Sequence, residues 1–277
     1  MSDMLQIEGM NVAFPSRNGP VRVVRDVSFT LGRERLGIVG ESGSGKSQTG
    51  RAILGLTPAS GTVTADRLSF DGIDLRHASA RTWRTLRGPR MSMIMQDPKY
   101  SLNPVMTIGR QIVEAYRRRG DATRADARDR AVAMLEAVQI RDPERVFNAY
   151  PHELSGGMGQ RAMIAMMLIA EPDLLIADEV TSALDVTVQL DVLRILDDLV
   201  RDRGMGLIFI SHDLRLVSSF CDRVLVMYAG RVVEEIAARD LHKAQHPYTQ
   251  GLLNCLPQID GPNVPLQTLT RDPAWLA

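Results

Sequence analysis

Apolar and polar residues alternate at Leu5-Gln6-Ile7-Glu8 and again at Val27-Ser28-Phe29-Thr30-Leu31, a period of two that predicts short strands with one buried face. Between them, Pro15-Ser16-Arg17-Asn18-Gly19-Pro20 is turn-prone, so the pair reads as antiparallel. Further on, the alternation gives way to compact apolar runs at Leu36-Gly37-Ile38-Val39, Leu174-Leu175-Ile176-Ala177, Leu207-Ile208-Phe209-Ile210 and Val224-Leu225-Val226-Met227. Runs that are hydrophobic on both faces predict buried parallel strands. Helix-like segments lie between them: one from Ser47 through Leu54, and one from Thr187 to Arg203. Strands alternating with helices predict an α/β sheet covered by helices.

From about Leu102 to Arg161 the pattern changes, with Arg, Ala and Glu abundant and apolar residues at Ala131, Met134, Leu135 and Val138. Those offsets are helical and predict a packed helical subdomain. Arg117-Arg118-Arg119 reads as a solvated face. Beyond Leu256, Pro257, Pro262, Pro265 and Pro273 predict an irregular tail. No internal repeat is visible.

Composition narrows the function less than the motifs do. The 277 residues carry 33 Lys+Arg and 33 Asp+Glu, so no overall field recruits nucleic acid and any anion site must be local. The two cysteines, Cys221 and Cys255, are far apart and form no metal-ligand spacing, which fits a reducing compartment. The start, MSDMLQIEG, is not a signal peptide, and the longest apolar runs, such as Ala162 to Ala170, are too short to span a bilayer. Membrane association is therefore expected through a partner.

Gly40-Glu41-Ser42-Gly43-Ser44-Gly45-Lys46-Ser47 matches the phosphate-loop pattern G-x-x-x-x-G-K-[ST], between a predicted strand and a predicted helix. Small residues let the backbone wrap a polyphosphate, with N–H groups and the helix N-terminus directed at it. Lys46 supplies a mobile positive charge to the β- and γ-phosphates; Ser47 offers a hydroxyl to Mg²⁺. Leu174-Leu175-Ile176-Ala177-Asp178-Glu179 is an apolar strand ending in two carboxylates, where α/β sheets place ligand-binding groups. Adjacent strand residues face opposite ways. On that basis Asp178 is assigned to Mg²⁺ and Glu179 to the attacking water as general base.

Leu154-Ser155-Gly156-Gly157-Met158-Gly159-Gln160 resembles the signature of the ATP-binding cassette (ABC) superfamily. The resemblance extends over nearly the whole chain and in the family's order. Gln96 in Met95-Gln96-Asp97-Pro98 looks like the Q-loop, Ser182-Ala183-Leu184-Asp185 like the D-loop, and His212 in Ser211-His212-Asp213 like the switch histidine. It implies a P-loop NTPase (RecA-like) core with an N-terminal antiparallel β subdomain and an inserted α-helical subdomain. The expected organisation is an ATP-binding domain over 1–256, its helical subdomain about 102–161, and a tail over 257–277.

The resemblance also implies an ATPase that works as a head-to-tail dimer, the phosphate loop of one subunit facing Ser155-Gly156-Gly157 of the other. Gln96 is then expected at Mg²⁺ and the attacking water, His212 at the γ-phosphate, and Gln48 and Asp185 among the nucleotide-site residues. Phe14 is the candidate for stacking on adenine. Two positions depart from the family pattern: Val180 stands where proline usually follows the glutamate, and Gly159 where a longer polar residue is common.

Gln96 to Pro104, Tyr150-Pro151-His152-Glu153-Leu154 and His246-Pro247-Tyr248-Thr249-Gln250-Gly251-Leu252-Leu253 look like the dipeptide, oligopeptide and nickel importer branch. That branch implies two transmembrane permeases, a second ATP-binding subunit (a sister or the same chain), an extracytoplasmic binding protein, and a place on the cytoplasmic face of a bacterial membrane. Dipeptides, longer peptides, opines and nickel chelates all stay open as cargo. The competing class, a soluble cassette ATPase of DNA repair or translation, is disfavoured by the single phosphate loop and the lack of a sustained heptad pattern.

Overall fold

The computed structural model describes residues 3–95, 101–120, 123–180, 185–255 and 275. It divides into two units, Met1–Arg76 with Phe209–Ala277, and His77–Ile208.

In the first unit, the strand Leu5–Phe14 pairs antiparallel with Val21–Leu31 on one side and with Arg67–Phe70 on the other. The short strands Thr62–Thr64 and Ile73–Asp74 extend this sheet. Both long strands run further than the alternation predicts, and the reason is a change of phase. Leu5 and Ile7 are buried, then Met10 and Val12, with a register shift at Gly9, whose φ is 61°. A bulge absorbs the extra residue and hides the continuation from a period-two reading.

The same unit holds a second set of strands. Arg35–Val39 lies parallel to Arg223–Tyr228, which pairs antiparallel with Arg231–Ala237. Leu36, Ile38, Val39, Val224, Leu225, Val226 and Met227 are fully buried, each aliphatic side chain contributing about 1.5–3 kcal/mol. The strand Arg231–Ala237 is not predicted by its pattern, because Arg231, Glu234 and Glu235 interrupt it and none of its residues is fully buried. The helix Lys46–Ile53 follows the phosphate loop, one residue earlier than expected. Leu214–Phe220, the 3-10 helix Ala238–Lys243 and Pro247–Asn254 complete the unit's helices among the described residues.

In the second unit, Met91–Ile94 is parallel to Leu174–Asp178, and every residue of both is buried. Helices Ile108–Arg117, Arg124–Ala137, Pro143–Asn148, Gly156–Leu168 and Val186–Arg203 surround them in sequence. Each begins on a polar cap: Thr107, Thr123, Asp142, Ser155 and Asp185 each accept a hydrogen bond from an N–H of the first turn. Of the predicted apolar stripe, Ala131, Leu135 and Val138 are fully buried and Met134 half-buried. Arg119 is less isolated than a solvated face implies. It reaches Glu171 at 3.2 Å, and Glu171 also takes Arg203 at 3.0 Å. Apart from Trp275, the proline-rich tail lies outside the described residues.

Candidate functional site

The first unit carries the phosphate loop. Strand Arg35–Val39 delivers the chain to Gly40, which has φ 149°, and the loop closes at Gly45, which has φ 99° and caps the helix Lys46–Ile53. Both positions require glycine. A Cβ on Gly40 would collide with the carbonyl of Met227, and one on Gly45 would lie 2.6 Å from the carbonyl of Val23. The Met227 strand and the Val23 strand therefore press the loop into shape from outside.

Lys46 is 6% exposed, and its Nζ donates to the carbonyls of Gly40 at 2.7 Å and Glu41 at 2.8 Å. The ammonium is thus folded onto its own loop, within the span a polyphosphate would occupy. Ser44 and Thr49 are buried beside it, and Thr49 Oγ1 donates to Gly45 at 3.1 Å. Gln48 Oε1 is a buried acceptor with no hydrogen-bond partner among the described residues. A wrapped loop, a helix N-terminus and a buried cation fit a polyphosphate.

His212 follows the strand Gly206–Ile210 and is exposed. Its neighbours fix the turn: Asp213 accepts from the N–H of Arg215 and Leu216, and Ser211 Oγ accepts from Asp213 N–H at 3.0 Å. Phe14 ends its strand half-buried, its ring so close to Gly61 that a Cβ there would lie 2.6 Å from it. Beneath the loop, burial pushes the carboxyl of Asp222 up, but bonds from Arg35 outweigh this and hold it below its ordinary value. That pair locks the start of the loop-bearing strand to the start of Arg223–Tyr228.

The second unit carries the two carboxylates. Asp178 ends its strand and is 3% exposed. Glu179 departs from expectation: the strand stops before it, and at φ 51° it lies in the left-handed region. A turn, rather than the strand pleat, separates the two side chains. The next residue, Val180, is fully buried, and its carbonyl accepts a 2.6 Å hydrogen bond from Gln160 Nε2, itself 1% exposed. Gln160 lies in the helix Gly156–Leu168, so the Ser155-to-Gln160 motif grips the turn that presents Glu179. The motif in the sequence contains Gln160, but its bond to Val180 leaves no local pattern there.

Ser155 caps that helix, its Oγ accepting from Met158 N–H at 3.4 Å, and is exposed together with Gly156. A Cβ on Gly156 or Gly157 would meet nothing within 4 Å, so packing inside the unit does not demand either glycine. Gly159 sits buried in the helix with its N–H on the Ser155 carbonyl at 2.9 Å, an ordinary first-turn bond. Asp185 caps the helix Val186–Arg203, accepting from Val188 N–H at 3.1 Å. Gln96, Ser182, Ala183 and Leu184 lie outside the described residues.

A family model described as "ABC transporter" matches residues 24–182. The chain is 44% identical over 272 residues to the oligopeptide transport ATP-binding protein OppD of Salmonella typhimurium, covering 98% of this chain and 81% of that protein. It is 45% identical over 258 residues to the dipeptide transport ATP-binding protein DppD of Haemophilus influenzae, covering 92% and 78%. In fold it is similar to the dimeric structure of MJ0796, a bacterial ABC transporter cassette, with a TM-score of 0.77 at 24% identity over 85% of this chain and 99% of that one.

Proposed function

This chain belongs to the ABC transporter family, and from that premise we propose that it is the ATP-hydrolysing subunit of an importer for dipeptides or oligopeptides. The observation that carries the reading is the match to OppD along 98% of the chain, with the phosphate loop and the Asp178-Glu179 pair inside it. The relatives' names speak for peptides over nickel: oligopeptide, dipeptide and D,D-dipeptide transport recur among them.

ATP binds at Gly40 to Ser47, with Gln48 beside it and Phe14 stacked on adenine. To meet the phosphates, Lys46 leaves the Gly40 and Glu41 carbonyls, exchanging two neutral acceptors for a polyanion. Mg²⁺, held by Ser47, Gln96 and Asp178, would neutralise phosphate charge when bound. Glu179 takes a proton from the attacking water, and His212 contacts the γ-phosphate. The open space above Gly156 and Gly157 supports a close approach from outside, by the γ-phosphate of a partner subunit's nucleotide, with Ser155 adding its hydroxyl and Asp185 at the dimer contact.

The domain arrangement that goes with this reading is an ATP-binding domain over 1–256, with a helical subdomain near 102–161, and a tail over 257–277. Among the described residues no helix is long and apolar enough to cross a membrane. In this reading the chain sits at the cytoplasmic face of the membrane on two permeases. A second ATP-binding subunit completes the pair, and an extracytoplasmic binding protein delivers the peptide.

Glu179→Gln tests the chemistry. It removes the base and keeps the shape, so ATP binding should persist while hydrolysis falls by about 10²- to 10⁴-fold. Turnover at the unsubstituted rate would remove Glu179 from the mechanism.

A further inference from the structure

Tyr248 is fully buried, in the first turn of the helix Pro247–Asn254, where its N–H rests on His246 Nδ1 at 3.2 Å. Its ring packs against Tyr228, with centroids 4.5 Å apart, and Trp275, 5.7 Å. Its hydroxyl accepts a 2.9 Å hydrogen bond from the backbone N–H of Glu41, a residue 207 positions earlier and inside the phosphate loop.

That N–H and the Gly40 carbonyl belong to one peptide group. Lys46 Nζ holds the carbonyl end at 2.7 Å and Tyr248 holds the amide end, so the plane of this peptide is fixed from both sides. The peptide follows Gly40, at φ 149°, where glycine's freedom makes rotation of the plane cheap. The two restraints do not behave alike. Lys46 must swing to the phosphates when nucleotide enters; Tyr248, locked in its aromatic cluster, stays.

Resting on the ATP-site reading above, we propose that Tyr248 is a positioning residue for nucleotide binding. It holds the Gly40–Glu41 peptide in the phosphate-ready orientation once Lys46 has let go. A contact of equal strength with and without nucleotide would cancel from the affinity. This one carries a larger share of the restraint in the bound state, so its loss falls on affinity more than on the stability of the empty chain. The C-terminal helix thereby becomes part of the nucleotide site although it touches no nucleotide.

The test is ATP titration of the full-length chain and of the Tyr248→Phe and Tyr228→Phe variants, beside thermal unfolding without nucleotide. Tyr248→Phe should bind ATP about 5- to 30-fold more weakly, with an unfolding midpoint within about 3 °C of the parent chain. Tyr228→Phe, which trims a hydroxyl from the same aromatic cluster and keeps the Tyr248 bond to the Glu41 N–H, should bind within about twofold. Equal affinity of Tyr248→Phe and the parent, or the same loss in both variants, overturns the inference. If the parent chain itself binds no ATP, the ATP-site reading falls instead. Amide exchange on the unsubstituted chain decides the contact independently of any variant: the Glu41 N–H should exchange at least about tenfold more slowly than that of exposed Gly43. Equal rates would show that Tyr248 does not hold the loop.

Discussion

Glu179 occupies a backbone conformation that costs a non-glycine residue roughly 1–2 kcal/mol, and the fold holds it there from both sides. The buried strand Leu174–Asp178 fixes the entry, and the Gln160 bond to Val180 fixes the exit. The carboxylate pair at the strand end is legible in the sequence because an apolar run stops abruptly on two acids. The strain and the Gln160 brace are not, since neither leaves a local pattern. Nor does Tyr248, whose partner in the loop is most of the chain away. The cysteines illustrate the same limit: spacing excludes a metal site but says nothing of reactivity. Burial beside Val217 and Gly37 pushes the Cys221 thiol up to about 12, with Arg35 only partly offsetting it. Its thiolate fraction at pH 8 is therefore about 10⁻⁴, so iodoacetamide should modify half-buried Cys255 at least about a hundredfold faster than Cys221. Mass spectrometry of a labelling time course measures both rates, and comparable rates would contradict the buried, protonated thiol.

At the scale of elements, the sequence predicts what has a clean period. The buried strands around Leu36, Leu174, Leu207 and Val224 appear within a residue or two of expectation. The helix over Thr187 to Arg203 starts one residue earlier, at Val186. Misses occur where the period breaks or charge intrudes: Gly9 shifts the phase of the first strand, and the glutamates of Arg231–Ala237 mask an edge pairing. Caps are legible too, once the helix is known. Asp185 belongs to the D-loop resemblance, yet its carboxylate also satisfies the Val188 N–H at the start of an 18-residue helix. Asp185→Ala should therefore cost about 1 kcal/mol and lower the unfolding midpoint by roughly 2–4 °C, while Asp185→Asn retains the acceptor and stays near the parent. Calorimetry without nucleotide checks this; an unchanged midpoint for the alanine variant would mean that the cap contributes nothing.

For the molecule as a whole, equal numbers of acidic and basic residues leave no long-range field, and the chemistry depends on local devices. The phosphate loop and the strand-end carboxylates have internal physical reasons, visible in glycine geometry and burial, and Ser155 has one as a cap, whereas packing within the unit does not demand Gly156 or Gly157. Their order along the chain carried the family assignment, which the match to OppD then established over nearly the full length. The cargo is not legible in these devices, all of which address the nucleotide; the peptide reading comes from what the relatives' names print. The central claim, that hydrolysis at Glu179 drives peptide entry, is tested most directly by uptake in cells lacking the native gene and supplied with either the parent chain or Glu179→Gln. Labelled oligopeptide and labelled nickel are offered in parallel. The account predicts peptide accumulation with the parent chain, none above background with Glu179→Gln, and nickel uptake that is the same in both. Peptide uptake sustained by Glu179→Gln, or nickel uptake restored by the parent alone, would contradict it.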